Sequence, residues 1–381
     1  MKNVYDTSLV EDLNVLFGEE YSKINSNKVL EEIYKSTVAR GKKIVLYGAG
    51  DTGKRTYNIF KSKGIEILAF FDKRSRELEY LEGIPVLLPS DSIDDINSDN
   101  VVIIVCIIQP RNVINKIVDD LKEKGYKNII FTYNLFMHTF VNIKPIENIG
   151  IYKDSIIETY NLMQDIHSKE ILVNNLKAHL SLNYDETISS DGLVQYLQVD
   201  VPLTKGYSKF IDCGAYIGDT LQEVVKQHVV DTYIGFELNA DNFNQCVKRA
   251  NENRTLVKNL LLYPCGVLDE NKYCSFSLDT HSSSISDMGE KIAQCVRLDD
   301  VLQKVEVTMI KMDIEGAELK ALKGAENIIK TQKPDLAICV YHKGEDLWEI
   351  PLLLHEWVPE YKFYLRTHNG ATLETVLYAT I

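Results

Sequence analysis

Two short stretches restrict this chain more than anything else in it: "IVLYGAGDTGK" at 44–54 and "FIDCGAYIGDT" at 210–220. Each is an apolar run that breaks on glycine and continues into a helix-forming segment. A buried strand that turns on glycine into a helix is the opening unit of a parallel α/β sheet. Glycine lets the backbone turn tightly and lets a ligand approach it closely, and the helix start favours an anion. The glycine spacings differ, so two sheets with different tasks are expected.

The flanking pattern extends both units. Residues 1–40 read as amphipathic helix, notably "NKVLEEIYKSTVARGKK". Strands "KIVLYG", "EILAFFD", "VVIIVCI" and "NIIF" then alternate with helices "TGKRTYNIFKSKG" and "RNVINKIVDDLKEKG", closing a first unit near residue 140. Such alternation implies a parallel sheet covered on both faces. Residues 141–205 carry apolar positions three and four apart, as in one or two amphipathic helices, and then a polar, turn-rich stretch. Alternation resumes with "KFIDCG", "TYIGFEL", "NLLLYPCGV", "VTMIKMDI" and "DLAICVY", with helices near 218–228, 240–252 and 316–330. The tail "YKFYLRTHNG…LETVLYATI" reads as a hairpin. The expectation is an α/β chain of two Rossmann-like domains, 1–140 and 206–381, joined by a helical connector at 141–205. At 381 residues the chain is long enough for two cores.

A formal charge of −13 argues against a general nucleic-acid or anionic-membrane binder. The longest apolar run, "VVIIVCII" at 101–108, is far below the roughly 20 residues a membrane span needs, and the N-terminus lacks a signal-peptide core. A cytoplasmic protein is expected, with a small-molecule or glycan substrate; a homo-oligomer is compatible with the sequence. The seven cysteines form no C-x-x-C pair and sit in apolar segments, as structural thiols do.

The second turn is the more telling. Gly214 and Gly218 make it, and Glu237 ends the next strand about 20 residues on, where an acid accepts ribose hydroxyls. The spacing is G-x-x-x-G, with Asp212 two residues before the first glycine. That carboxylate would repel a pyrophosphate and attract an ammonium. S-adenosylmethionine, with its ammonium, carboxylate, sulfonium and adenosine, suits the arrangement. The bland alternative is a glycine turn that only packs its helix on its strand.

Five motifs in order then resemble the FkbM family of S-adenosylmethionine-dependent methyltransferases: "FIDCGAYIGDT", "FELN", "HSSSIS" at 281–286, "IKMDIEGAELKALKGA" at 310–325 and "YLRTHN…ETVLYA". The resemblance covers much of 195–381 and implies a seven-stranded class I methyltransferase fold for the C-terminal domain. It further implies that Asp212 and Gly214 line the amino-acid half of the cofactor, and that Tyr216, Gly218 and Thr220 hold its carboxylate. Glu237 would take the ribose, Cys265 and Gly266 would lie near adenine, and Asp313 near the transferred methyl.

Methyl transfer to a hydroxyl is an in-line displacement that alignment accelerates and a base assists. Three candidate bases fall at strand ends or in the presumed substrate loop: Asp313, His342 in "VYHKG" and His281 in "HSSSIS". Each also has a structural reading, as a turn cap, a residue after a buried strand and a surface loop residue. Lys311 and Glu315 share Asp313's side by alternation and could pair with it. A magnesium site of the catechol-methyltransferase kind is not expected, because "YHK" stands where hard oxygen ligands are needed.

The first turn, "GAGDTG", is a full G-x-G-x-x-G of Gly48, Gly50 and Gly53, with Asp72 ending the next strand. Residues 43–108 resemble the nucleotide-sugar-binding Rossmann domain that precedes some bacterial sugar acyltransferases. Dinucleotide, nucleotide sugar and empty scaffold all remain open. Arg55 replaces the Ser or Thr of a phosphate loop, and Tyr57 and Lys61 lie too early for a dehydrogenase pair. The expected function is O-methylation of a sugar or glycan-precursor hydroxyl. The alternatives are an NAD(P)-dependent oxidoreductase using the first domain and a non-catalytic nucleotide-binding scaffold.

Overall fold

The computed structural model describes residues 4–18, 26–91, 99–140, 146–190, 194–278, 283–285, 289 and 291–381. The first glycine turn follows β1 (Lys43–Tyr47) of a six-stranded sheet. Its other strands are β2 (Ile67–Phe71), β3 (Tyr80–Leu81), β4 (Ile84–Leu87), β5 (Val101–Val105) and β6 (Ile129–Ile130), in the order β3-β4-β2-β1-β5-β6. β1 pairs in parallel with β2 and β5. Alternation sends Ile44, Leu46, Phe70 and Ile104 to one face, against Tyr57 and Phe60. Val45, Ala69 and Ile103 face the other way, against Ile114 and Leu121. Both faces are covered, which is why these strands read as unbroken apolar runs.

The second turn belongs to a seven-stranded sheet. Its strands are β7 (Lys209–Cys213), β8 (Val230–Phe236) and β9 (Val257–Tyr263). After them a small sheet is inserted, made of β10 (Gly266–Val267), β11 (Lys272–Leu278), β12 (Ser283–Ile285) and β13 (Lys291–Val296). The large sheet resumes with β14 (Met309–Met312), β15 (Asp335–Cys339), β16 (Lys362–Thr367) and β17 (Thr375–Thr380), in the order β16-β17-β15-β14-β7-β8-β9. Only β17 runs antiparallel to its neighbours β15 and β16, as the tail hairpin predicts. The chain winds outward from β7 through β8 to β9 and from β14 to β15 the other way. The crevice above β7 and β14 is therefore a topological switch point, where open α/β sheets bind ligands.

Among the described residues of 141–205 there are two α-helices, Lys153–Leu162 and Ile166–Ser181. Asp165 separates them: its side chain caps the second by accepting from the Ser168 amide. The same carboxylate holds the buried Arg366 of β16 at 2.7 Å, so the connector is fastened to the larger sheet. It also reaches back to the smaller unit. Asp185 accepts the Tyr133 amide at 2.6 Å and the Thr132 hydroxyl at 2.7 Å, and Asn134 accepts the Tyr184 amide at 2.7 Å.

Two elements depart from the sequence pattern. A helix at Asp346–Trp357 carries Pro351 in its interior, a strong argument against helix when read locally. Burial of Leu347, Trp348, Ile350 and Leu354 against the core outweighs it. The small sheet β10–β13 is the other; its signal is short, the buried Cys274 and Phe276 alternating with serines along β11. Among the described residues no helix is long and apolar enough to cross a membrane. All seven cysteines are free and buried.

Candidate active site

A cavity of about 380 Å³ opens above the carboxyl ends of β7, β8 and β14. Its floor is the second glycine turn. Gly214 has φ +85°, and a Cβ there would land on the Asp313 carbonyl oxygen, so no larger residue fits between the two strand ends. Tyr216 follows at φ +47°, an uncommon conformation for an aromatic residue. Its amide donates to Glu237 Oε2 at 2.9 Å, while Glu237 Oε1 accepts the Asn239 amide at 2.7 Å. Burial raises the Glu237 carboxyl above its ordinary range, against the pull of those two donors. Thr220, Cys265 and Gly266 complete this side of the wall.

Two of the residues expected to contact the cofactor lie outside the cavity lining. Asp212 is wholly buried beneath the turn, away from the cavity lining. Its carboxylate is engaged by Lys311 Nζ at 3.1 Å and by the Tyr233 hydroxyl at 2.8 Å. Lys311 also donates to the Gly214 carbonyl at 2.7 Å, so the pair braces the turn from below rather than meeting a ligand's ammonium. Gly218 is buried too. At φ +79° it starts the helix Asp219–Gln227 and lets it pack on Cys246 of the next helix. Of the two readings open for Lys311, a pair with Asp313 or an internal structural pair, the structure has the internal ion pair, with Asp212, while its charge still acts on Asp313.

On the β14–β15–β17 side the wall is rich in carboxylates: Asp313, Glu315 and Glu374, with Tyr341, Gln195 and Tyr196. Asp313 accepts the Tyr196 hydroxyl at 2.8 Å and that of Tyr341 at 3.3 Å. Burial would raise its carboxyl, but the Lys311 and His342 charges outweigh this and hold it below its usual range. His342 stands behind it, nearly buried, with Nε2 3.6 Å from Asp313 and 3.4 Å from Glu315, and Nδ1 3.0 Å from Glu318. Burial disfavours its charge, yet the surrounding carboxylates, Glu318 foremost, push it up to about 10. It is therefore an imidazolium at neutral pH. Asp313, Glu318 and His342 bring one ligand atom each within 4.8 Å of one another, the spacing of a cation site; the imidazolium itself supplies positive charge there. His281 lies outside the described residues.

The first glycine turn borders a separate cavity of about 580 Å³, lined by Gly48, Gly50, Asp72, Arg74 and the apolar Cys106 and Ile107. Gly53 is closed off by the Gly48 carbonyl, which a Cβ would strike. Asp72 accepts the Ala49 amide at 2.8 Å and is gripped by Arg74 through Nε at 2.9 Å and a terminal nitrogen at 2.8 Å. That grip outweighs burial and brings its carboxyl down to about 2.

Sequence reasoning did not single out Gln195, Tyr196, Tyr341 or Glu374. Gln195 and Tyr196 lie in the turn-rich connector, whose proximity to β14 no local pattern reveals. Tyr341 adjoins His342, and Glu374 lies inside the "ETVLYA" motif, so position in a motif was the one available signal.

The α/β sheet is of the class I methyltransferase kind, and the family match to its sequence makes the chain an S-adenosylmethionine-dependent methyltransferase. Residues 212–364 match the model of the Methyltransferase FkbM domain, and residues 40–130 match one described as C2185-like, N-terminal. No curated protein matches in sequence. The crystal structure of Methyltransferase FkbM from Methylobacillus flagellatus KT superposes with a TM-score of 0.63 over 99% of each chain, at 19% identity, and so shares the fold. Aeropyrum pernix fibrillarin with natively bound S-adenosyl-L-methionine aligns over 48% of this chain and 70% of its own, at 7% identity and TM-score 0.31.

The residues present suit the cofactor. Glu237 lines the cavity where a ribose diol can reach its carboxylate, and the Gly214–Tyr216 turn leaves backbone exposed to a ligand. When bound, S-adenosylmethionine supplies an electrophilic methyl group.

Proposed function

We propose that this enzyme is an O-methyltransferase acting on a sugar or glycan-precursor hydroxyl. The observation that carries the reading is the cavity's two-sided wall. Its β8–β9 side offers Glu237, Cys265 and Gly266 to an adenosine, and its β14–β15–β17 side offers hydroxyl-binding carboxylates. Such a wall suits a neutral polyol and disfavours an anionic group beside the methyl. Glu237 would hold the ribose, Thr220 and the Tyr216 turn the amino-acid carboxylate, and the wall of Asp313 and Glu374 the acceptor hydroxyl.

In this reading the chain divides into an acceptor-binding domain at 1–140, a connector at 141–205 and a catalytic domain at 206–381, working in the cytoplasm. The first cavity would take the anionic part of a nucleotide sugar beside Arg74. A dinucleotide is less well served, because Asp72, the expected ribose partner, is neutralised by a two-point grip from Arg74, whereas Glu237 meets only backbone amides. A thermal shift series with S-adenosylmethionine, S-adenosylhomocysteine, NAD and UDP-sugars tests the division. Shifts with the methyl donor and, separately, with UDP-sugars support it. A shift with NAD alone would overturn it.

A further inference from the structure

Resting on the hydroxyl-acceptor reading, the geometry points to Glu374 as the group that takes the proton of the methyl-accepting hydroxyl, with Asp313 as the fixed negative charge beside it. Glu374 immediately precedes β17 and lines the cavity. It is presented by a strained loop: Ala371, Thr372 and Glu374 have φ of 63°, 68° and 56°. Non-glycine residues in this region are held there only by surrounding structure. Gln195 donates to Glu374 Oε2 at 2.5 Å and to the Tyr196 hydroxyl at 2.9 Å, and Tyr196 in turn donates to Asp313. The two carboxylates are thereby tied together, with oxygens within 4.8 Å of one another. Both line the cavity, so an acceptor hydroxyl that enters it can donate its proton to Glu374.

The candidates differ in what surrounds them. Asp313 is compensated by the Lys311 and His342 cations and accepts two tyrosine hydroxyls, which makes it a weak base. His342 has no free lone pair while it is an imidazolium. Glu374 faces the Asp313 charge and the neutral Gln195, with Lys311 and His342 farther off. Burial and Asp313 push it up to about 7. Tyr196, Tyr341 and Cys339 also face this space, and each is held in its neutral form by burial. A base that titrates near the working pH is the most effective kind.

The step balances without another reactant. The hydroxyl oxygen bonds to the methyl carbon as the carbon–sulfur bond breaks. That bond's electron pair stays on sulfur, leaving the neutral thioether. The hydroxyl proton passes to the Glu374 carboxylate and then to solvent.

The test compares wild type with Glu374→Gln, which keeps an acceptor for Gln195. Radiolabelled methyl transfer to a panel of UDP-sugars and methyl glycosides is followed from pH 5 to 9, alongside infrared titration of the S-adenosylhomocysteine complex. The expected result is a kcat loss on the order of 10²- to 10⁴-fold, with S-adenosylmethionine affinity retained. The rising limb of the wild-type rate near pH 7 should disappear, together with one carboxyl band titrating there. Equal turnover, or a pH limb unchanged in the variant, would overturn the assignment. If wild type methylates no hydroxyl on the panel, the hydroxyl-acceptor reading fails instead. The infrared band then decides Glu374 alone: a carboxyl ionising in the ordinary range removes it.

Discussion

The two glycine turns share a local plan and stand on different floors. In each, the acid ending the second strand accepts a backbone amide from the turn, Ala49 to Asp72 at 2.8 Å and Tyr216 to Glu237 at 2.9 Å. Beneath the first turn the neighbouring strand β5 runs into Cys106 and Ile107, an apolar floor. Beneath the second lies the buried Asp212–Lys311 pair, and Asp313 stands at the next strand end. The first turn borders a cavity with one ion pair, Asp72 with Arg74, at its wall. Around the second the charges are buried, which strengthens their action on any charge that develops there.

The largest break in this comparison should come from Lys311→Met. It leaves Asp212 buried without its cation, a change that typically costs about 3–5 kcal/mol. Arg74→Met, at a pair whose arginine is half exposed, should cost no more than about 1 kcal/mol. Urea unfolding of both variants measures the difference; equal losses would mean the buried pair is no more important than the surface one.

Glu237→Ala should weaken S-adenosylmethionine binding by roughly 1.5–3 kcal/mol, the worth of hydrogen bonds to a charged group. Asp72→Ala should leave that affinity unchanged. Calorimetry on the two variants separates the sites, and a loss in Asp72→Ala would show that they are coupled.

The pH response sharpens the contrast in sign. His342 is raised to about 10 in the folded protein, so its stabilising contribution is complete below about pH 6.5 and is lost as pH rises through 10. Asp72 is lowered to about 2, so its contribution is present above about pH 3.9 and is lost as pH falls through 2. Melting temperatures should therefore fall from pH 7 to 10 more steeply in wild type than in His342→Gln. Parallel curves would remove the imidazolium from the account.

The smallest effect expected on ligand binding is that of Arg74→Ala on nucleotide-sugar affinity. Loss of one charge-assisted contact should raise the Kd about tenfold, with S-adenosylmethionine affinity untouched. Fluorescence or thermal-shift titration with UDP-sugars checks it.

Much of the fold was legible because it is written in local periodicity. The apolar runs that became β1, β5, β7 and β14, the glycine turns and the tail hairpin all carry their signal within ten residues. The helix Asp346–Trp357 was not legible, because its proline speaks against helix while the core that overrides it is assembled from distant segments. The site divides in the same way. Gly214, Glu237 and Asp313 follow from strand ends and spacing. Gln195, Tyr196 and Glu374 reach the cavity through contacts across more than a hundred residues, such as Tyr196 to Asp313 and Gln195 to Glu374.

By itself, then, the sequence determined that two glycine-turn sheets would form and which strand ends would carry acids, because side-chain alternation and turn chemistry are short-range. Tertiary structure alone decided which acids face the cavity and what charge each group carries. Asp212, which sequence spacing assigns to the ligand, is turned beneath the floor by Lys311 and Tyr233. His342 is made a cation by carboxylates gathered around it, Glu315 and Glu318 from the turn and helix after β14 and Asp313 from that strand's end. Ionisation depends on burial and on neighbours in space, and neither is a property of the order of residues along the chain.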